Sequence, residues 1–183
     1  MLYSIKKYVE KKAGSIKIIY EERYETSMGD RNPILGSDIC TQIGLLVHDI
    51  EKTAEEYAKF FGIPKPEIGM TGEFDSTNTH YMGESTPARS KLAFFDIGNL
   101  QIELIQPDSS PSVWRHDLEK NGEGIHHIAF RVNGMDKIIE LCADNGMKLV
   151  QRGKWDTGHY AYLDASDTLK LTLELLENGD FTI

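Results

Sequence analysis

The chain has 183 residues, 40% of them hydrophobic and 27% charged, with a formal net charge of −9. That is enough for one ordinary domain with a full core and too apolar for a disordered chain, and no apolar run approaches the roughly 18 residues of a membrane span. An acidic chain lacks the basic face that a phosphate backbone requires, so nucleic acid is not the expected partner.

The acidity is uneven. Residues 1–37 carry seven Lys and Arg against five Asp and Glu, and the remainder carries thirteen against twenty-four. Cys40 and Cys142 are too few for a disulfide framework. Both stand in apolar stretches and read as small buried hydrophobes in a reducing compartment. The opening MLYSIKKYVEKKAGS has no apolar h-region, so no signal peptide is expected, and the expected location is cytoplasmic, with no membrane partner.

In chain order, residues 1–37 read as an N-terminal extension and 38–183 as one domain. Leu2, Ile5, Tyr8 and Val9 recur at helical spacing and predict a short amphipathic helix, and Ile16 to Tyr20 predicts a strand. MGDRNPILG is turn-rich and closes the extension.

The body contains an internal repeat. CTQIGLLVHDIEKTAEEYAKFFGI begins as a strand, then places Ile50, Ala54, Tyr57 and Phe61 on one helical face before a stop at Gly62. HHIAFRVNGMDKIIELCADNGMKL does the same, with Gly146 matching Gly62. KLAFFDIG and NLQIELIQP follow the first unit as a predicted hairpin turning at Gly98-Asn99; KLVQRG, HYAYLD and LKLTLELLE follow the second. Both modules read β-α-β-β-β, over about 40–107 and 124–177, which makes the fold class α+β. Residues 66–90 form a long loop rich in Gly, Thr, Ser and Pro, of a length that is often functional. The linker 108–123 predicts a helix that starts at Ser110-Pro111 and ends at Gly122.

Strand alternation separates two faces. Ile128, Phe130 and Val132 form an apolar face that the following helix can cover, as do Ile43, Leu45 and Val47. The opposite faces carry His127, Ala129 and Arg131, and Gln42, Gly44 and Leu46. Each has a polar residue followed by a small one, which leaves room for a cavity. Glu103 and Glu174 stand inside apolar final strands, where a carboxylate is costly to bury unless it is paired or holds a metal. The repeat superposes Gln42 on His127 and Glu103 on Glu174. Four donors at two related positions predict one divalent metal site. Mixed nitrogen and oxygen donors suit Zn, Co, Mn, Ni or Fe.

On GEGIHHIAFRV, GNLQIELIQP and QIGLLVHDIEKT, residues from about 40 to 177 resemble the vicinal oxygen chelate superfamily, which includes glyoxalase I, methylmalonyl-CoA epimerase, extradiol dioxygenases and bleomycin-resistance proteins. The epimerase branch is the most similar. The resemblance implies paired βαβββ modules forming a cupped mixed sheet around one central divalent metal, with Gln42, Glu103, His127 and Glu174 at the ligand positions. It also implies a homodimer and a small-molecule substrate. The implied activity is that of an isomerase or lyase, epimerase-like or lactoylglutathione lyase-like, moving a proton next to a carbonyl of an acyl-CoA, a thioester or a hemithioacetal. Glu174 is the first candidate for the catalytic base and Glu103 the second, and Arg131 is the candidate for binding a substrate carboxylate or thioester tail. Tyr160, Tyr162, His159 and Trp114 are candidate cup-lining residues with a structural reading beside them. Two departures stand out. Gln42 replaces the His usual in epimerases, giving a set similar to that of some glyoxalase I enzymes. STPARSK, before KLAFFDIG, lacks the epimerase acid, with Glu84 only a few residues upstream. The alternative is a non-catalytic small-molecule-binding or resistance protein of the same superfamily. An extradiol dioxygenase, which needs two His and one carboxylate on iron, is disfavoured by Gln42.

Overall fold

The structure is a computed structural model that describes residues 33–179 throughout and, before them, the backbone of two strands. Contacts divide the chain into Met1–Asn32 and Pro33–Ile183. In the first unit, β1 (Ser4–Lys12) and β2 (Ser15–Arg23) pair antiparallel, from Ser4 opposite Arg23 to Lys12 opposite Ser15. The strand expected over Ile16 to Tyr20 lies within β2. The helix expected from Leu2, Ile5, Tyr8 and Val9 is not formed: Ile5, Tyr8 and Val9 belong to β1, and Leu2 lies outside the described residues. A helix this short is marginal alone, and a full ladder of backbone bonds to the next segment decides for the strand.

In the second unit, β3 (Cys40–Leu46) leads into α1 (Ile50–Phe61), where Asp49 caps the start by accepting from the Lys52 N–H. Gly62 ends the helix in the left-handed region at φ 66°, as its position predicts. Ile50 and Ala54 are buried, but Phe61 is 39% exposed, so the apolar stripe stops one turn short of expectation. The long loop contains three two-residue strands and one helical turn: β4 (Gly69–Met70), α2 (Phe74–Thr77), β5 (His80–Tyr81) and β6 (Glu84–Ser85). β7 (Ser90–Ile97) and β8 (Leu100–Pro107) form the hairpin turning at Gly98-Asn99.

The linker helix α3 spans Val113–Asn121 and is capped by Ser112 rather than starting at Ser110-Pro111. The Ser112 hydroxyl accepts from the Arg115 N–H, and that bond sets the start. The second module follows as β9 (Gly124–Arg131), α4 (Met135–Asp144), β10 (Lys148–Trp155), β11 (Gly158–Asp164) and β12 (Thr172–Asn178).

One mixed sheet takes the order β4-β7-β8-β3-β9-β12-β11-β10-β5-β6 and curls into a half-barrel. The modules repeat each other: β3 runs parallel to β8 as β9 does to β12, and each inner pair is extended by antiparallel strands. They join through the antiparallel pair β3–β9. The long loop crosses this frame, and its β5 adds to the far edge of the other module, with Tyr81 opposite Gln151.

Leu104 packs with Ile50 and Ala54 of α1, while its neighbour Ile105 packs with Trp114 and Leu118 of α3. Alternation along β8 therefore puts the two helices on opposite faces. Glu103 shares the Ile105 side, the concave one. Helix α4 covers the outer face of its own module through Met135, Ile138 and Cys142, onto which Ile34 and Leu35 also pack. Cys142 is fully buried as expected, Cys40 only half-buried, and both are free thiols.

Gly44 decides how closely the modules meet. It lies opposite His127 across the join, and a Cβ built there would overlap the imidazole ring. That ring is 0% exposed. Gly44→Ala is expected to lower the stability of the metal-free protein by about 1–3 kcal/mol, the usual range for overpacking. Thermal unfolding checks this, and an unchanged Tm would show that the ring moves freely.

Candidate metal centre

Sheet register assembles the site from two rows of side chains. The first runs Glu103 on β8, Gly44 on β3 and His127 on β9. The second runs Gln101 on β8, Gln42 on β3, Ala129 on β9 and Glu174 on β12. Exchanging the modules maps one set of pairings on the other, with Gly44 beside Glu103 and Ala129 beside Glu174. The small residues anticipated between the donors are what let the larger side chains converge.

All four expected donors are buried: Gln42 is 7% exposed, Glu103 7%, Glu174 4% and His127 0%. His127 Nε2 lies 3.1 Å from Glu174 Oε2 and 3.5 Å from Glu103 Oε2, and the donor atoms of these three residues all fall within 4.8 Å of one another. Donors held about 2.0–2.2 Å from a shared ion stand roughly 3–3.5 Å apart, so these separations fit one cation. His127 Nε2 and Glu174 Oε2 are buried, yet neither completes a hydrogen bond. Once ionised, two buried carboxylates facing one imidazole would carry negative charge that a divalent cation would balance. Gln42 reaches the same concavity, with its Nε2 donating to Gln101 Oε1 at 2.7 Å.

The electrostatics follow from burial. Desolvation first, and then the neighbouring Glu174 carboxylate, push Glu103 up to about 8, against the opposing pull of His127. Burial works to lower His127, but the Glu174 and Glu103 carboxylates outweigh it and raise it. His126 moves the other way, because burial outweighs the help of Asp117.

A cavity of about 760 Å3 opens over the site. Gln42, Glu103 and Glu174 line it, Trp114, Tyr160 and Tyr162 form an aromatic wall, and Thr71 to Thr79 of the long loop supply part of the rim. Burial raises Tyr160 to about 12 and Tyr162 well above its ordinary value, so both stay protonated. Arg131 is on the wall, exposed, and donates through Nη1 to the neutral Asn178 Oδ1 at 3.1 Å. His159 is not on the wall; it pairs with Glu177 at 3.1 Å, whose carboxylate caps α4 through the Gly134 and Met135 N–H groups. Glu84 lies exposed on the edge strand β6, away from the cavity lining.

Sequence alternation missed the residues behind the donors. His126 should face away from His127, yet it is buried beside it, with the two Nδ1 atoms 3.1 Å apart. A bulge is the reason: Gly44 pairs with His127 and Leu45 with Ile125, so His126 has no partner position. His126 Nε2 in turn lies 3.2 Å from Asp117 Oδ2 on α3. Thr41 occupies the matching bulge in β3. No local sequence signal marks either bulge; the His-His pair is the only hint.

Residues 41–162 match the Glyoxalase/Bleomycin resistance protein/Dioxygenase superfamily, and the chain belongs to it. It is similar to the uncharacterized protein YqjC of Bacillus subtilis (strain 168), 38% identical over 93 residues that make up 49% of this chain and 66% of that protein. The match thus spans just under two thirds of that relative's length. The hypothetical protein BH1468 from Bacillus halodurans C-125 has a similar structure, with TM-score 0.54, 25% identity, and coverage of 79% of this chain and 97% of that one. So has methylmalonyl-CoA epimerase from Mycobacterium tuberculosis, with TM-score 0.54, 21% identity, and coverage of 84% and 95%. At that identity the second likeness carries the fold alone. The expected superfamily and its cupped α+β fold are therefore both found. No helix among the described residues is long and apolar enough to cross a membrane.

The raised Glu103 gives a pH dependence. The folded metal-free protein keeps a proton there that the unfolded chain releases between 4.5 and about 8. Stability is therefore expected to fall as pH rises through that window. His127, also raised, acts in the same direction, because its contribution is present at low pH and lost as it deprotonates. Glu103→Gln should flatten the profile and raise the Tm of metal-free protein at the alkaline end. A wild-type slope in this variant would show that Glu103 is not the group responsible.

Proposed function

We propose that this protein is a divalent-metal-dependent isomerase or lyase that moves a proton on the carbon next to a carbonyl, acting on an acyl-CoA or a similar thioester or hemithioacetal. The observation that carries the reading is the register that brings Glu103, His127 and Glu174 within reach of one another, with Gln42, Glu103 and Glu174 lining one cavity. These four residues would hold the cation, as zinc, cobalt, manganese, nickel or iron. A bound cation would supply positive charge where the substrate's carbonyl oxygens become negative as the proton leaves.

The chain's own groups do the rest. Glu174 opens on the cavity and faces His127, which suits it to take and return the proton, with Glu103 as the second candidate. Trp114, Tyr160 and Tyr162 exclude water from that wall and orient the acyl portion. Arg131 offers its guanidinium to a substrate carboxylate or the thioester tail. A homodimer belongs to the same proposal, and light scattering of the purified protein checks it.

One observation favours a second reading, that of a non-catalytic binding or resistance protein. STPARSK carries no acid before β7, and Glu84 does not reach the cavity lining.

Metal analysis should find close to one divalent ion per chain, and His127→Ala should lose it while the protein stays folded. Metal-loaded protein in deuterated water should place deuterium on the carbon next to the carbonyl of acyl-CoA or hemithioacetal substrates. Glu174→Gln should slow that exchange by about 100-fold or more, the scale of a lost general base. A folded protein that takes up no metal would sink the metal-dependent reading. Metal uptake without exchange across the panel would favour the binding protein.

A further inference from the structure

We infer, granting the metal site proposed above, that Asp96 and Gln101 are positioning residues that hold the Gln42 amide with its carbonyl oxygen, and not its NH2, turned into the site. A glutamine has two ends of nearly equal shape, and only the oxygen can ligate a cation. Packing does not choose between them here, because Gln42, Gln101 and Asp96 border a second cavity of about 280 Å3.

A directed chain of hydrogen bonds makes the choice. Asp96, Gln101 and Gln42 are successive partners across β7, β8 and β3. Gln101 Nε2 donates to Asp96 Oδ1 at 2.8 Å, and Gln42 Nε2 donates to Gln101 Oε1 at 2.7 Å. A carboxylate only accepts, so Gln101 must turn its NH2 outward to Asp96. That leaves the Gln101 oxygen facing β3, where only a donor can meet it. Gln42 therefore gives its NH2 to Gln101, and its oxygen is the end left for the cavity. One charge at the outer end fixes the direction of the whole row.

In the other module the matching row, Asp164–Thr172–His127, carries no such chain of hydrogen bonds, and Asp164 accepts from the Ser166 N–H instead. The position beside His127 that matches Gln101 is Thr172. An imidazole has no amide to orient, and His127 is backed instead by His126 and Asp117. The Asp96–Gln101 pair accompanies the glutamine alone.

The test titrates metal-free full-length protein with Co(II) and reads both affinity and the visible absorption of the bound ion, which reports the donor set. Gln101→Lys puts a donor-only group in the middle of the row, so Gln42 must turn its oxygen outward and its NH2 into the site. Asp96→Asn changes the net charge by the same amount but permits either direction. The double variant Asp96→Asn/Gln101→Glu keeps the net charge and moves the acceptor-only group one place inward, restoring the direction.

The expected order is a loss of about 10–100-fold for Gln101→Lys with an altered spectrum, a clearly smaller loss for Asp96→Asn, and recovery to within about threefold in the double variant with the wild-type spectrum. Equal losses in Gln101→Lys and Asp96→Asn would leave only charge as the cause and overturn the inference. So would a wild-type Gln101→Lys or a double variant that fails to recover. If Gln101→Lys does not fold, Asp96→Lys places the donor-only group at the exposed end and makes the same prediction. Wild-type protein that binds no Co(II) would instead remove the metal reading itself.

Discussion

Two carboxylates buried against one imidazole form the constraint that the rest of this structure serves. Glu103 and Glu174 are costly to place in a sheet core, and the Glu174 carboxylate disfavours ionisation of Glu103. His127 offsets only part of that cost. The sheet has to hold all three rigidly to keep them there. It does so by placing them on the inner pairs β8–β3 and β9–β12, which are flanked on both sides by further strands.

Duplication explains the economy of the arrangement. One βαβββ module offers a polar donor, a small residue and a strand-borne carboxylate on its inner face, which is half a site. The antiparallel join between β3 and β9 turns two halves toward each other. Gly44 is where that join is tightest, because His127 occupies the space its side chain would need. The outer faces are left to α1 and α4, so the core and the site draw on alternate residues of the same strands.

The supporting residues differ between the halves because the donors differ in chemistry. An amide must be turned the right way, and the Asp96–Gln101 row does this for Gln42. An imidazole must be held at the right angle, and the bulge that brings His126 beside it supplies a neighbour. The long loop of the first module adds what the repeated elements lack. It lines one side of the cavity and ties the first module to the far edge of the second through Tyr81 and Gln151.

Much of this was legible in the sequence, for identifiable reasons. Period-two alternation set Gln42 and His127 on the faces away from the helices, and the Gly62 stop marked the end of α1. The repeat aligned Gln42 with His127 and Glu103 with Glu174, because register is the same thing in sequence and in a regular ladder. Local pattern failed where pairing or packing decided. Ile5, Tyr8 and Val9 have helical spacing, but the neighbouring strand recruits them. Phe61 continues a stripe that the helix does not bury. His126 obeys alternation until a bulge removes its partner position, and Asp117, Asp96 and Gln101 become relevant only once strands and helix are side by side. The sequence by itself determined which residues could be donors and on which face Gln42 and His127 would stand, since the repeat and strand alternation are chain-local patterns. Only the tertiary structure decided that they meet and what orients them, because distances across strands are set by register, bulges and the missing side chain at Gly44.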